Sequence, residues 1–460
     1  MEFKENLNIR KIIFEGDKCM NKKILLISLD AMVQEDVEYL MNKPDSNFRK
    51  IMGNFARVEQ MQSVYPSLTY PAHFAIASGC NPGKSGFYEN FYLPFNKEGK
   101  KGWITESKHC PVEDFFAAAK RANMTTASVF WPSMANNENI DWLINECFPT
   151  ADMDYKALFV SYGANEEALN IIEKAKSYLP KDIISGHNGP NSENTHDAFL
   201  TECLCLLIKE HHPDFTVAHH SFIDTVRHRY GVFGEHVTKA LDITDEWLGK
   251  IVDALTESGV YEDTNIVIVS DHGQMNYNRM VKPNRLLLKG GFLTENEEHQ
   301  IDTWKARAVS CSMSAHVYLQ DKNDTKLYDE VYHYLKQYAD EGVWGFNQVL
   351  TEDETKEKYG LYGDFSFVLE SDGYTCFWES VKEPIVKMVE ITDYREARAA
   401  HGYRPELGPQ PIFCAKGPDF VPQAVMHEGS IIDIAPTLAT IMGQCMPDAQ
   451  GKVLKDLLRV

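Results

Sequence analysis

Lys23–Leu29 reads as an almost unbroken apolar run, which predicts a strand buried on both faces as in a parallel sheet. Asn265–Ser270 repeats the pattern, and shorter apolar runs at Thr126–Phe130, Phe215–Ala218 and Gln410–Ala415 predict further strands. Between them the pattern predicts helices over Asp114–Ala122, Glu166–Tyr178, Ala198–Lys209 and Asp433–Met442. A long amphipathic helix is expected over His236–Ser258, closed by Gly259. Pro71–Ser78 is expected to be helical too, with Pro71 in its first turn and Gly79 just beyond its last. This alternation predicts an α/β fold: a doubly wound, mostly parallel sheet with helices on both faces.

Beyond residue 280 the texture changes. Charged runs such as Thr351–Lys358 and aromatic-rich stretches such as Tyr374–Trp378 replace the clean alternation until about residue 395. The expected organisation is therefore a catalytic core over 22–280 and 396–460, interrupted by an inserted α+β lid-like subdomain over 281–395. Residues 1–21, polar and without clear periodicity, are expected to form a surface extension.

A charged content of 25% with 43% hydrophobic residues is that of a soluble globular protein. The formal charge of −21 argues against nucleic-acid polymers and anionic membranes as partners, which need a basic face. It leaves room for a small phosphate ester, because bound dications would dominate the local field. Met20–Asp30 resembles the start of a signal peptide, but Asp30 breaks its apolar stretch early and no clear cleavage site follows. No apolar run is long enough to span a bilayer, and the ten scattered cysteines read as reduced core residues. A cytoplasmic location is the expectation.

The residues that carry chemistry sit where predicted elements end. Asp30 follows the first strand and Asp271-His272 follows the strand before the insert, the places where open α/β sheets bind ligands. Asp224 and His228 are four apart, so one helical turn puts both on one face. His401 precedes Gly402. Singly, each has an ordinary structural explanation; jointly they form a set of oxygen and nitrogen donors suited to metal ions. Thr69, just before a helix, has an obvious bland role as its N-cap. Its hydroxyl is also a nucleophile if a metal lowers its pKa, and the helix start would aim N–H groups at a phosphate. The pairs His211-His212 and His219-His220 read as surface and strand-end structure.

These pieces resemble, in order, the alkaline phosphatase superfamily and within it the nucleotide pyrophosphatase/phosphodiesterase family. The matching segments are Ser28-Leu-Asp30, Thr69-Tyr-Pro71, Gly79-x-x-Pro82-x-x-x-Gly86, Phe130-Trp-Pro132, Asp224-x-x-x-His228-x-Tyr230-Gly231, Ser270-Asp-His-Gly273, His401-Gly-Tyr403 and Gly417-Pro-x-Phe420. The resemblance implies two zinc ions, one held by Asp224, His228 and His401, the other by Asp30, Asp271 and His272 with the Thr69 oxygen. It further implies in-line attack by Thr69, a phospho-threonine intermediate, and a small-molecule phosphate ester or nucleotide as substrate.

Two departures narrow this. Members of the family usually carry Asn three residues after the nucleophile, where this chain has Ala72, and Asn90 is the conceivable replacement donor. Nucleotide-cleaving members stack the base between two aromatics; Tyr70 fits the first position, but His219 occupies the second, and Trp131 is a further candidate for the pocket wall. The rival readings are a phosphomonoesterase or phosphonate hydrolase on the same metals, and a non-catalytic metal-binding protein. A sulfatase is disfavoured by the threonine, and a phosphomutase by the absence of its extra ligands.

Overall fold

The computed structural model describes residues 22–96, 99–100, 102–108, 110–148, 154–179, 195–390 and 398–459. The extension expected over 1–21 lies outside them. Its centre is an eight-stranded sheet. In chain order its first six strands are β1 (Lys23–Leu29), β2 (Ala56–Gln62), β3 (Thr126–Val129), β4 (Trp142–Ile144), β5 (Phe215–His220) and β6 (Thr264–Val269). Phe413–Lys416 and Val425–Ser430 complete it, and the spatial order is Val425–Ser430, β2, Phe413–Lys416, β6, β1, β5, β3, β4. Every pairing is parallel except those of Phe413–Lys416, which runs antiparallel to both neighbours.

The side-chain alternation of β1 shows why helices cover both faces. Leu25, Ile27 and Leu29 enter one apolar cluster, built with helices Gln34–Asn42, Glu166–Ala175, Thr195–His211, Phe222–Tyr230 and Glu235–Glu257. Ile24 and Leu26 enter a second, built with helices Thr69–Ser78, Phe115–Arg121 and Ile434–Ile441. A strand between two such layers must be apolar at nearly every position, which is the pattern its sequence carries.

Between residues 281 and 389 the chain builds a separate four-stranded antiparallel sheet, ordered Ala306–Ser310, Ser314–Leu319, Phe367–Ser371, Phe346–Thr351. The Thr325–Glu341 helix packs on it, and a third apolar cluster fills the space between them. This sheet abuts the core behind the strand ends: Met313 N–H donates to the His401 carbonyl (2.9 Å), and Tyr65 donates its hydroxyl to Glu370. Among the described residues no helix is long and apolar enough to cross a membrane, and the nine cysteines are free.

Candidate active site

The carboxyl ends of β1, β5 and β6 converge, and each delivers donors. After β1 the chain turns sharply: Asp30 donates its N–H to the His220 carbonyl (2.9 Å), and Ala31 takes a left-handed φ of 58°. That turn aims the Ala31 N–H at Asp271 Oδ1 (3.3 Å). Asp271 and His272 leave β6 into the same space, and ligand atoms of Asp30, Asp271 and His272 lie within 4.8 Å of one another, all buried. His272 Nε2 is 3.1 Å from Asp271 Oδ2, 3.6 Å from Asp30 Oδ1 and 3.2 Å from Thr69 Oγ1.

A second group meets the same spacing, formed by Asp224 and His228 on the helix after β5 and by His401. One helical turn brings His228 Nε2 to 3.4 Å from Asp224 Oδ1. The rings of His272 and His401 stack at 3.8 Å and 13°, so the two groups are adjacent. His401 reaches this position because Gly402 (φ 86°) passes against the Cys311 carbonyl, which a Cβ would meet at 1.9 Å.

Backbone acceptors orient the imidazoles. His228 Nδ1 is 2.7 Å from the Ala399 carbonyl and His401 Nδ1 2.8 Å from the Ser67 carbonyl. Each Nδ1 must carry the proton to donate, which leaves Nε2 a free lone pair directed into the group. Gln274, fully buried, donates from Nε2 to both the Asp224 carboxylate and its backbone carbonyl.

The electrostatics of this cluster call for a cation. Burial, then the charges of Asp271 and Asp224, hold the Asp30 carboxyl well above its usual range. Burial and Asp224 push Asp271 up to about 7. Burial pushes His272 well below its ordinary value and His401 down to about 4. Asp30 Oδ1 and Asp271 Oδ2 are buried without any hydrogen-bond partner. Buried carboxylates are costly unless paired or metal-bound, so orphaned oxygens beside lone-pair nitrogens fit a bound metal ion.

Thr69 is the first residue of the Thr69–Ser78 helix, and Leu68 occupies the cap position without a side-chain bond. The expected N-cap role therefore does not hold, and the hydroxyl faces His272 instead. The helix start also offers fewer donors than expected. Tyr70 N–H is taken by Asn90 Oδ1 (3.0 Å) and Pro71 has none, which leaves Thr69 N–H in that turn.

The other expected pocket residues sort differently. Ala72 is fully buried in the apolar cluster beneath the helix, so the missing amide leaves no polar gap there. Trp131 is not a pocket wall: it is fully buried, edge-on to His73 and Phe115. His219 is neither a surface residue nor a stacking platform. It is 4% exposed on β5, with its ring 4.1 Å from His73 and its Nε2 3.5 Å from Asp30 Oδ2, because strand alternation directs it under the site. His220 is likewise buried.

Three residues at the site had no signal in the motifs. Gln274 follows the Asp-His-Gly segment directly. Glu146 follows β4, a three-residue strand too short for periodicity to reveal, and accepts the Tyr70 hydroxyl (2.9 Å). Glu89 is buried beside Asn90 and accepts from Tyr318 (2.8 Å), His316 Nδ1 (2.7 Å) and Cys311 (3.5 Å). Glu89, Cys311 and His316 have metal-ligand spacing as well. A metal on His316 Nδ1 would move the ring proton to Nε2, which is buried without an acceptor; the hydrogen-bond network avoids that cost.

Comparison with known proteins matches this architecture. The chain belongs to the type I phosphodiesterase/nucleotide pyrophosphatase family, whose model matches residues 24–403. Among curated relatives it is 28% identical over 267 residues to human ectonucleotide pyrophosphatase/phosphodiesterase family member 1, covering 54% of this chain and 23% of that protein. It is 24% identical over 259 residues to venom phosphodiesterase 2 of Crotalus adamanteus, covering 54% of this chain and 26% of that one. The chain thus spans about a quarter of the length of these relatives. Murine ectonucleotide pyrophosphatase/phosphodiesterase 5 shares the fold, with a TM-score of 0.64 at 18% identity over 95% of this chain and 100% of that one. An inactive form of that murine protein has been solved in complex with AMP at the same TM-score, identity and coverage.

Proposed function

We propose that this protein is a zinc-dependent phosphodiesterase of nucleotide-pyrophosphatase type, acting on a small phosphate diester through Thr69. The observation that carries the reading is a threonine hydroxyl 3.2 Å from His272, a member of one of two adjacent three-residue groups of metal-ligand spacing. Asp224, His228 and His401 would hold one zinc ion, and Asp30, Asp271 and His272 the other, with the Thr69 oxygen. Bound zinc would supply Lewis-acid charge, lowering the pKa of the attacking hydroxyl or water and stabilising the leaving oxygen.

Thr69 Oγ1 attacks phosphorus in line; the Oγ1–P bond forms as the bond to the leaving alkoxide breaks, giving a phospho-threonine. Water then attacks the same phosphorus, and the threonine oxygen leaves and is reprotonated. Asn90 uses its carbonyl oxygen on Tyr70 N–H, which leaves its amide N–H groups to donate to a non-bridging oxygen in place of an amide at position 72. The inserted segment acts as a cap, and Met313, in the turn between its strands Ala306–Ser310 and Ser314–Leu319, braces the His401 backbone. AMP on the murine structural relative makes nucleotides reasonable first substrates.

The test compares bis(p-nitrophenyl) phosphate with p-nitrophenyl phosphate, on zinc-loaded wild type and Thr69→Ala of measured zinc content. Diester turnover that falls about 10³-fold or more in the variant, with zinc retained, is the expected result. Wild type inert on both esters and on dinucleotides would overturn the proposal, and faster monoester turnover would transfer it to a phosphomonoesterase.

A further inference from the structure

One buried carboxylate near the site takes no part in the chemistry at phosphorus. Glu89 is 4% exposed, and both its carboxylate oxygens accept from the inserted segment. Oε1 accepts from His316 Nδ1 at 2.7 Å and from the Tyr318 hydroxyl at 2.8 Å, and Oε2 accepts from the Cys311 thiol at 3.5 Å. His316 and Tyr318 lie on the Ser314–Leu319 strand, and Phe365 stacks on the His316 ring at 4.3 Å and 12°. Burial, then the Glu89 charge, holds the Tyr318 hydroxyl and the Cys311 thiol well above their usual ranges, so both stay donors. Three donors around one side chain call for a group that only accepts, which a carboxylate is and an amide is not. Without these partners the buried carboxylate would be costly, so the contact fixes the chain at Glu89.

The next residue faces the nucleophile. Asn90 Oδ1 accepts the Tyr70 N–H at 3.0 Å, one residue from Thr69, and the Asn90 carbonyl accepts the Ile104 N–H at 3.0 Å. One peptide unit therefore separates a carboxylate clamped by the insert from the amide at the start of the nucleophile's helix. Thr69 is placed by the core, whereas the amide beside it takes its position through the insert. A misplacement of about 1 Å at a group aligned on reacting atoms costs on the order of 10²-fold in rate.

We propose that Glu89 is a positioning residue for phosphoryl transfer: gripped by His316, Tyr318 and Cys311, it holds the Asn90 amide on the phosphate. The inference rests on the diesterase reading above and on Asn90 as its phosphate donor. The inserted segment thereby sets the rate of the chemical step through a contact that touches no substrate atom.

The experiment measures kcat and KM for bis(p-nitrophenyl) phosphate with the zinc-loaded full chain. The proteins compared are wild type, Glu89→Gln, Tyr318→Phe, Asn90→Ala and the two double variants that add Asn90→Ala to the first two. Asn90→Ala is expected to lower kcat about 10²-fold, the size of one lost oxyanion donor. Glu89→Gln is expected to lower kcat about tenfold or more, with KM within about threefold of wild type and zinc content unchanged. Tyr318→Phe removes one hydroxyl and keeps the ring; it is expected to lower kcat about threefold or more, and it decides the matter should Glu89→Gln fail to fold. In the Asn90→Ala background each change is expected to cost less than about twofold, because a residue that acts through Asn90 has nothing left to align. Losses that multiply in the double variants, zinc lost in parallel with kcat, or wild-type kcat in both Glu89→Gln and Tyr318→Phe would each overturn the assignment. A wild type inert on bis(p-nitrophenyl) phosphate overturns the diesterase reading itself; an active wild type whose losses multiply overturns only this inference.

Discussion

Gln274 shows how much of the site depends on a residue outside every motif. Its amide is fully buried and donates to both the carboxylate and the carbonyl of Asp224, so it fixes which Asp224 oxygen is free. Outer hydrogen bonds of this kind typically contribute ten- to hundredfold in metal affinity. If the proposed zinc sites form, Gln274→Ala is therefore expected to weaken zinc binding about ten- to hundredfold, read by competition with a chromophoric chelator; unchanged affinity would leave Gln274 only a packing role. The residues brought into the two groups were legible because acids and imidazoles at strand ends stand out against apolar runs. Trp131 and His219 were misplaced because spacing along the chain does not say which way a side chain points. His219 alternates on β5 to the face that meets His73, and Trp131 is enclosed by Phe115 and His73.

At the scale of elements, the Phe222–Tyr230 helix must hold Asp224 and His228 against the turn after β1. Arg227, between them and fully buried, makes that link. Its Nη2 donates to both Asp36 oxygens (2.7 and 2.9 Å), its Nη1 to the Ala31 carbonyl, and its Nε to the Val232 carbonyl (3.0 Å). Burial raises the Asp36 carboxyl while Arg227 pulls it down, so removing the guanidinium strands a buried acid. Arg227→Ala is expected to cost about 3–5 kcal/mol in urea denaturation of the zinc-free protein, whereas replacing both partners by apolar residues, as in Arg227→Met with Asp36→Leu, should cost far less. Equal costs for the two would mean that volume, not charge, matters there. The sequence showed β1 and β6 because both faces of each are covered. It did not show β2, with exposed residues among its buried ones, or Val425–Ser430, in which no residue is fully buried; pairing supplies what their composition lacks. Helix boundaries were close; Glu166–Tyr178, for example, is α-helical to Ala175 and then tightens into a 3₁₀ turn.

Over the whole molecule, the alternation of elements was enough to indicate a doubly wound sheet, while the reversed direction of Phe413–Lys416 had no signature in so short a run. The same burial that makes the strands legible sets how stability varies with pH. His220, 2% exposed on β5 beside Thr201 and Trp247, is pushed down to about 3 by burial. An unfolded histidine titrates near about 6.5, so on acidification the unfolded chain takes up this proton first. The stability that the neutral ring confers is present above that value and is lost as pH falls toward the folded one, at about 1.4 kcal/mol per pH unit for one proton. Asp197 works in the opposite sense. Burial raises it to about 7, so its stabilising protonated form is lost as pH rises through that value. Between about pH 4 and 6.5 the two groups therefore oppose each other in the metal-free protein, and the His220 contribution is read as the difference between variant and wild type. In His220→Gln, whose amide N–H can still donate to the Thr201 hydroxyl oxygen, the slope of stability against pH between pH 5 and 6 should fall by about one proton relative to the wild type. Urea denaturation at half-unit steps measures that slope directly. A slope equal to that of the wild type would show that His220 is protonated in the folded protein and that burial on β5 does not govern its charge.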